Sequence, residues 1–164
     1  MLGGKNIEEE CSAIIKSGSK PLAAEAFVTK PGELDTCSHI IHAVVKPWQG
    51  GSHKEDDLLF EAVWKSLDIA AKKKLSTVAI AAVDWGFPAN IACQGVLDAV
   101  AEFQTQQQYH FTDILLIDNR DQIVNHFREN LARHFGKQQV KIISDQPSVS
   151  APACMSPFHL IITF

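Results

Sequence analysis

The 164-residue sequence has no apolar run approaching the roughly 18 residues that a membrane-spanning helix requires. Its opening, Met1-Leu2-Gly3-Gly4-Lys5 followed by Glu8-Glu9-Glu10, lacks the apolar core of a secretory signal. Both absences point to a protein of the cytoplasm or nucleus with no membrane partner. Closely spaced cysteines are also missing. The four present, Cys11, Cys37, Cys93 and Cys154, are scattered and form no CxxC pair. The pattern therefore predicts reduced thiols rather than a disulfide framework or a metal cluster. Nor is there an excess of positive charge, since 15 Lys and Arg face 19 Asp and Glu for a formal net charge of -4. That balance gives no general attraction to phosphate backbones and disfavours a nucleic-acid partner.

What is there suits one globular domain large enough to bury a core without disulfide or metal staples, with 46% hydrophobic and 21% charged residues. Ile7, Cys11, Ile14 and Ile15 recur at helical spacing, with acidic residues read into the first turn and Gly18 beyond the end. Residues 23–29 and 38–45 read as two strands whose short connection through Pro31-Gly32 predicts an antiparallel hairpin. Residues 56–74 place Leu59, Val63, Leu67 and Ala70 on one helical face. Residues 77–83 form a nearly continuous apolar strand. The helix after it carries Ala92, Val96, Val100 and Phe103, with Asn90 as its expected N-cap. The unit then repeats, with 113–117 as a buried strand and 121–135 as a helix ended by Gly136.

Successive strand-helix units with apolar strands predict a parallel sheet layer covered by helices, which the hairpin makes mixed. The expected class is thus α/β, a mixed β-sheet flanked by helices. We assign residues 1–145 to this domain. Residues 146–152 read as a linker, and 158–164 have the apolar content of a strand that could join the sheet or remain a loose end.

The carboxyl ends of parallel strands are where open α/β sheets bind ligands. Two segments fall there, Asp84-Trp85-Gly86-Phe87 and Asp118-Asn119, and these six residues are the candidate ligand site. Each has a plain structural reading beside the functional one. Gly86 can be a turn residue, Phe87 a core plug, Pro88 a helix starter, and Asp118-Asn119 a cap for the following helix. His39 and His42, three apart on a strand, point to opposite faces, while His126 and His134, eight apart on a helix, have no companion at ligand spacing. No metal and no cofactor is expected. No nucleophile elbow or local triad arrangement stands out, so no catalytic residue is named.

Three segments resemble the macrodomain family, in particular the modules of macrodomain-containing mono-ADP-ribosyltransferases. They are Glu8-Glu9-Glu10-Cys11, Ser38-His39-Ile40-Ile41-His42-Ala43-Val44, and Ala79-Ile80-Ala81-Ala82-Val83 followed by Gly86-Phe87-Pro88. The resemblance runs from about Ile7 to Gly136. It implies a macrodomain-like fold and ADP-ribose, or an ADP-ribosylated protein, as the partner class. Two departures fall on the implied ligand site. The family's opening strand with its asparagine-rich segment and glycine-rich loop, and its adenine-recognising acid, have no counterpart after Met1, which predicts a domain incomplete at its N-terminus. The family's small-residue phosphate loop is reduced to Asp84-Trp85, which add charge and bulk where backbone N-H groups should approach a diphosphate. The expectation is a divergent, non-catalytic binding module that recognises protein or, weakly, an ADP-ribose-like nucleotide. The alternatives are a competent ADP-ribose reader or ADP-ribosyl hydrolase, and a nucleic-acid-binding module of the same fold.

Overall fold

Alternation along residues 37–43 decides how the molecule is layered, because neighbouring strand residues point to opposite faces. In the computed structural model, which describes residues 4–18, 20–83, 85–106, 108–135 and 158–163, Ile40 and Ile41 are both buried but in different clusters. For Ala132 and for residues 158–163 the backbone alone is described. Ile40 lies with Ile7 and Cys37 beneath the first helix, whereas Ile41 belongs to the main core under the later helices. Helices therefore cover both faces of the sheet.

The elements are α1 (Gly4–Lys16), β1 (Ala26–Thr29), β2 (Cys37–Ala43), α2 (Glu55–Lys72), β3 (Thr77–Ala81), α3 (Ala89–Gln106), β4 (Asp113–Ile117), α4 (Asp121–Phe135) and β5 (Phe158–Thr163). They form a five-stranded sheet in the order β1-β2-β5-β3-β4. β1 and β2 make the expected antiparallel hairpin, with Phe27 opposite His42. β2, β5, β3 and β4 are mutually parallel. The C-terminal strand thus sits inside the sheet, with Ile161 paired to Ile40 on one side and to Ala79 on the other.

Side-chain pattern accounts for the main core. α2 buries Leu59, Val63, Leu67 and Ala70, α3 buries Val96, Leu97, Val100 and Phe103, and β3 contributes Val78 and Ile80. Phe103 is fully buried and meets Trp64 edge-on at 5.6 Å and Phe111 at 5.8 Å. Burial of a side chain of that size contributes about 3 kcal/mol. Tyr109 packs on Phe111 and donates its hydroxyl to the Leu75 carbonyl at 2.7 Å, closing the amino end of β3 and β4. Among the described residues no buried side-chain nitrogen or oxygen lacks a hydrogen-bond partner. None of the described helices is long and apolar enough to cross a membrane.

Three local expectations change. α1 begins at Gly4, so Glu8, Glu9 and Glu10 fall beyond its first turn. α3 begins at Ala89, and the Pro88 carbonyl accepts the Ala92 N-H at 3.0 Å, which makes Pro88 the residue preceding the helix and puts Asn90 inside the first turn rather than at the cap. β4 is not a buried strand. As the last strand in the sheet order it has covered neighbours on one side only, its central residues are half-buried, and Ile117 is 45% exposed. α2 has no side-chain cap, because Lys54 precedes it in the left-handed region at φ 57°. Gly136, the linker at 146–152 and Cys154 lie outside the described residues.

α3 and α4 are joined across their polar faces by His134. Its Nε2 lies 2.7 Å from Asp98 Oδ1 and 3.2 Å from Gln94 Nε2, and its Nδ1 lies 3.1 Å from the Asn130 carbonyl. Burial by itself would lower the imidazole pKa, but the hydrogen bond to Asp98, the Asn130 carbonyl and the Asp98 charge outweigh it and raise the value despite Arg133 nearby.

Two measurements follow from this packing. Ile161→Pro removes a ladder donor from a strand paired on both sides, and we expect it to cost about 3 kcal/mol or more in denaturant unfolding. A variant with the parent's midpoint would mean that β5 does not occupy the centre. A raised folded pKa at His134 contributes stability that is fully present below the unfolded value of about 6.5 and is lost as pH rises through the folded value. The stability gap between the parent and His134→Gln should therefore narrow as pH rises above the unfolded value of about 6.5 in urea titrations; a constant gap would show a neutral contact.

Candidate functional site

Because β2, β3 and β4 run the same way, the chain leaves all three at one edge of the sheet. Ala81 and Ile117 are register partners, and the Ala82 N-H still reaches the Ile117 carbonyl at 3.3 Å beyond them. Residues 44–54, 82–88 and 118–120 consequently form loops at that edge. Of the six candidate residues, Trp85, Gly86, Phe87, Asp118 and Asn119 are carried by two of these loops, while Asp84 lies outside the described residues.

The loop after β3 is shaped by a strained residue and a glycine. Trp85 has φ 22°, a left-handed conformation rare for a side chain of its size, and Gly86 follows at φ 75°, where the missing Cβ removes the penalty. The Trp85 indole is 54% exposed. Phe87 turns inward, is buried, and packs against Trp48 at 5.2 Å. Pro88 then leads into α3, whose first N-H groups, at Ala89, Asn90 and Ile91, have no carbonyl one turn earlier in the helix to bond. Those donors and the helix dipole favour an anionic group at this edge.

The loop after β2 braces the loop after β3. Trp48 donates its backbone N-H to the Trp85 carbonyl at 2.9 Å, and its ring lies against Gly51, where an added Cβ would come within 3.2 Å of the indole. Glu55, at the start of α2, is 1% exposed. Its Oε1 accepts the Gln49 N-H at 2.9 Å and its Oε2 accepts the His53 N-H at 3.0 Å. Burial alone would raise this carboxyl's pKa, but backbone N-H groups of Glu55, His53 and Gln49, with the His53 ring, outweigh burial and hold it below its usual value. A buried ion satisfied by backbone donors is a fixed structural element.

In the third loop Asp118 is engaged by its neighbour. It accepts the Arg120 backbone N-H at 2.8 Å and pairs both carboxylate oxygens with the Arg120 guanidinium at 2.8 Å. The hydrogen bond from the Arg120 side chain is the largest influence holding its pKa below the ordinary carboxylate value. Arg120, whose carbonyl accepts the Ile123 and Val124 N-H groups, is the capping residue, and Asn119 between them is exposed. The capping geometry expected of Asp118-Asn119 is therefore one residue displaced.

Groups elsewhere have been drawn into packing. His42 lies on the Phe27 ring at 4.8 Å, with Nε2 2.9 Å from Thr29 Oγ1 and 3.8 Å from Cys11 Sγ. Burial lowers its pKa against the opposing influence of Glu10. Cys93 is fully buried and its Sγ faces the Ile123 carbonyl at 3.8 Å. Burial, reinforced by Asp118, pushes its thiol up to about 11. Cys11 and Cys37 are raised as well, chiefly by burial. Among the described residues no three His, Cys, Asp or Glu side chains gather as metal ligands.

Sequence reasoning missed Glu55 and Arg120, and it read Trp48, which follows a strand, as a packing or stacking residue without its bond to Trp85. Arg120 was within reach as the cation two residues after Asp118. Glu55 reads in sequence as an ordinary acid in a helix's first turn, and nothing local marks the Trp48 to Trp85 bond, which spans two loops.

Residues 2–94 match the family described as Macro domain. A macro domain-containing protein of Listeria monocytogenes is 34% identical over 107 residues, 63% of this chain and 60% of that protein. A human protein mono-ADP-ribosyltransferase is 29% identical over 160 residues, 94% of this chain but 8% of that protein. An O-acetyl-ADP-ribose deacetylase of Citrobacter rodentium is 27% identical over 107 residues, 63% of this chain and 60% of that protein. The chain thus spans about 60% of the length of its Listeria and Citrobacter relatives. Among solved structures, an Oceanobacillus iheyensis macrodomain with ADPR superposes with a TM-score of 0.69 at 20% identity, over 80% of this chain and 72% of that one.

The thiol environments set an accessible test. In a Cys154→Ala variant at pH 7.5 to 8, iodoacetamide should modify half-buried Cys11 well before Cys37 or Cys93, because the thiolate is the reactive form and access limits the rest. Native-state labelling of Cys93 as fast as in denaturant would contradict the burial described.

Proposed function

Since this chain belongs to the macro domain family, we propose that it is a non-catalytic binding module that recognises protein or, weakly, an ADP-ribose-like nucleotide, the latter at the carboxyl edge of its parallel strands. The observation that carries this reading is the exposed, strained Trp85 immediately ahead of the α3 N-terminus. A diphosphate would face the N-H groups from Gly86 to Ile91, excluding Pro88, which has none. The Trp85 indole supplies a flat apolar surface for a ribose or base. The assigned contact residues are Asp84, Trp85, Gly86, Phe87, Asp118 and Asn119.

Weak affinity follows from the same residues. The loop between β3 and α3 is short, Trp85 is bulky, and its carbonyl is already tied to Trp48. Asp84 adds a negative charge to the sequence of this loop. Asp118 is already committed to Arg120, which offsets its charge and leaves it little acceptor capacity for a ribose hydroxyl. The described cysteines are buried or half-buried with raised pKa values, which speaks against thiol nucleophilic catalysis.

The second reading, an ADP-ribosyl hydrolase, is favoured by the likeness to the Citrobacter deacetylase. Calorimetric titration with ADP-ribose separates the two when combined with a turnover assay. Saturable micromolar binding, weakened about tenfold or more by Trp85→Ala, a loss of about 1.4 kcal/mol, is the expected outcome. Release of ADP-ribose or acetate from a modified substrate would make the protein an enzyme. Silence at millimolar ADP-ribose would remove the nucleotide part of the proposal. A labelled oligonucleotide bound with steep salt dependence would replace it with the nucleic-acid alternative.

A further inference from the structure

Glu55 has no place among the assigned contact residues, yet among the described residues it is the most deeply buried ionised side chain near them. Its two oxygens are used by the N-H groups of Gln49 and His53, so one carboxylate closes the turn between those residues. The segment it closes is otherwise hard to hold. Gly50 and Gly51 have φ 83° and 79°, and Lys54 sits at φ 57° without a glycine's freedom. The glycines reach these angles freely and leave the segment loose, whereas the Lys54 conformation persists only where surrounding contacts over-determine it.

The residue preceding Gln49 is Trp48, whose N-H holds the Trp85 carbonyl at 2.9 Å and whose ring packs on Phe87. The Trp48 Cβ lies 4.0 Å from the place where a Cβ on Gly86 would stand. Trp85 is itself at φ 22° and needs the same kind of external support. An unbroken path of short contacts therefore runs from the Glu55 carboxylate through the Gln49 and Trp48 backbone to the conformation of Trp85 and Gly86. We infer that Glu55 is a positioning residue for the ligand loop, fixing residues 48–53 so that Trp48 can hold Trp85 in its strained, exposed pose.

This rests on the proposed nucleotide site, but it can be read independently of ligand. Glu55→Gln keeps the volume and one acceptor oxygen while turning the other into an amide that meets a backbone N-H with a second donor. With amide resonances assigned, the variant should shift the signals of Gly86 and Phe87, on a loop that Glu55 does not touch. Perturbations confined to residues 46–58 would overturn the inference, whatever the protein binds. Against ADP-ribose, Glu55→Gln should weaken affinity about tenfold, but only about twofold when introduced into Trp85→Ala, because both changes disable the same element. Equal losses in the two backgrounds would make Glu55 merely structural. If Glu55→Gln does not fold, Glu55→Asp, which retains the charge but is too short to reach both N-H groups, takes its place with the same expected pattern. Absence of ADP-ribose binding by the parent would remove the nucleotide reading, leaving the amide shifts to decide the role of Glu55.

Discussion

Two strands that never touch, β2 and β3, belong to one sheet because β5 hydrogen-bonds to both. Remove that strand and the hairpin of β1 and β2 has no backbone connection to the pair β3 and β4, and two parallel edges face a gap instead of a partner. The loops that carry the candidate site spring from both halves, residues 44–54 from β2 and 82–88 from β3. Their mutual approach, through the bond from Trp48 to Trp85, depends on a spacing that the central strand sets. The site is thus built on a long-range pairing, although all its named residues are local to strand ends.

Within that frame the site combines groups that favour an anion with groups that restrain the loop. The α3 N-terminus offers N-H groups that have no intrahelical carbonyl partner, and a favourable dipole end. Trp85, in contrast, takes a backbone conformation that has to be supported from outside, and its support comes from a neighbouring loop that is itself pinned by a buried carboxylate. Rigidity achieved by such nested contacts lowers the ordering cost of binding while narrowing what can bind. A wide glycine-rich cradle accepts a diphosphate by moulding itself around it. A short loop headed by a fixed indole accepts only a ligand that fits it as found.

Much of this arrangement was legible from residue patterns. The strand-helix-strand-helix run from Thr77 to Phe135 has strong periodicity and short connections, and its element types came through, as did the β1 and β2 hairpin. Strand ends located Trp85, Gly86, Phe87, Asp118 and Asn119 at one sheet edge without any coordinates. The failures have physical reasons. Apolar content marks 158–163 as a strand but cannot choose its neighbours, since parallel pairing carries no local signal of register. Ile114, Leu115 and Leu116 read as fully buried because an edge strand over helices has the same composition as a central one. Asn90 has a capping side chain, but Pro88, preset in φ, already marks the entry to α3. Glu55 was passed over because only burial distinguishes it from any other acid at a helix start.

The central place of β5 also has a history in time. A ribosome delivers β2, β3 and β4 before it delivers the strand that joins them, and at 5–20 residues per second the interval between β3 and β5 lasts on the order of ten seconds. Throughout that interval the nascent chain presents two unpaired parallel edges of the kind that recruit other chains. Its partners in β2 and β3 are also far away in sequence, which makes the final insertion a slow, non-local closure. Demand for chaperone protection should consequently fall on the interval before β5 emerges, after the helices have formed and before the sheet has closed.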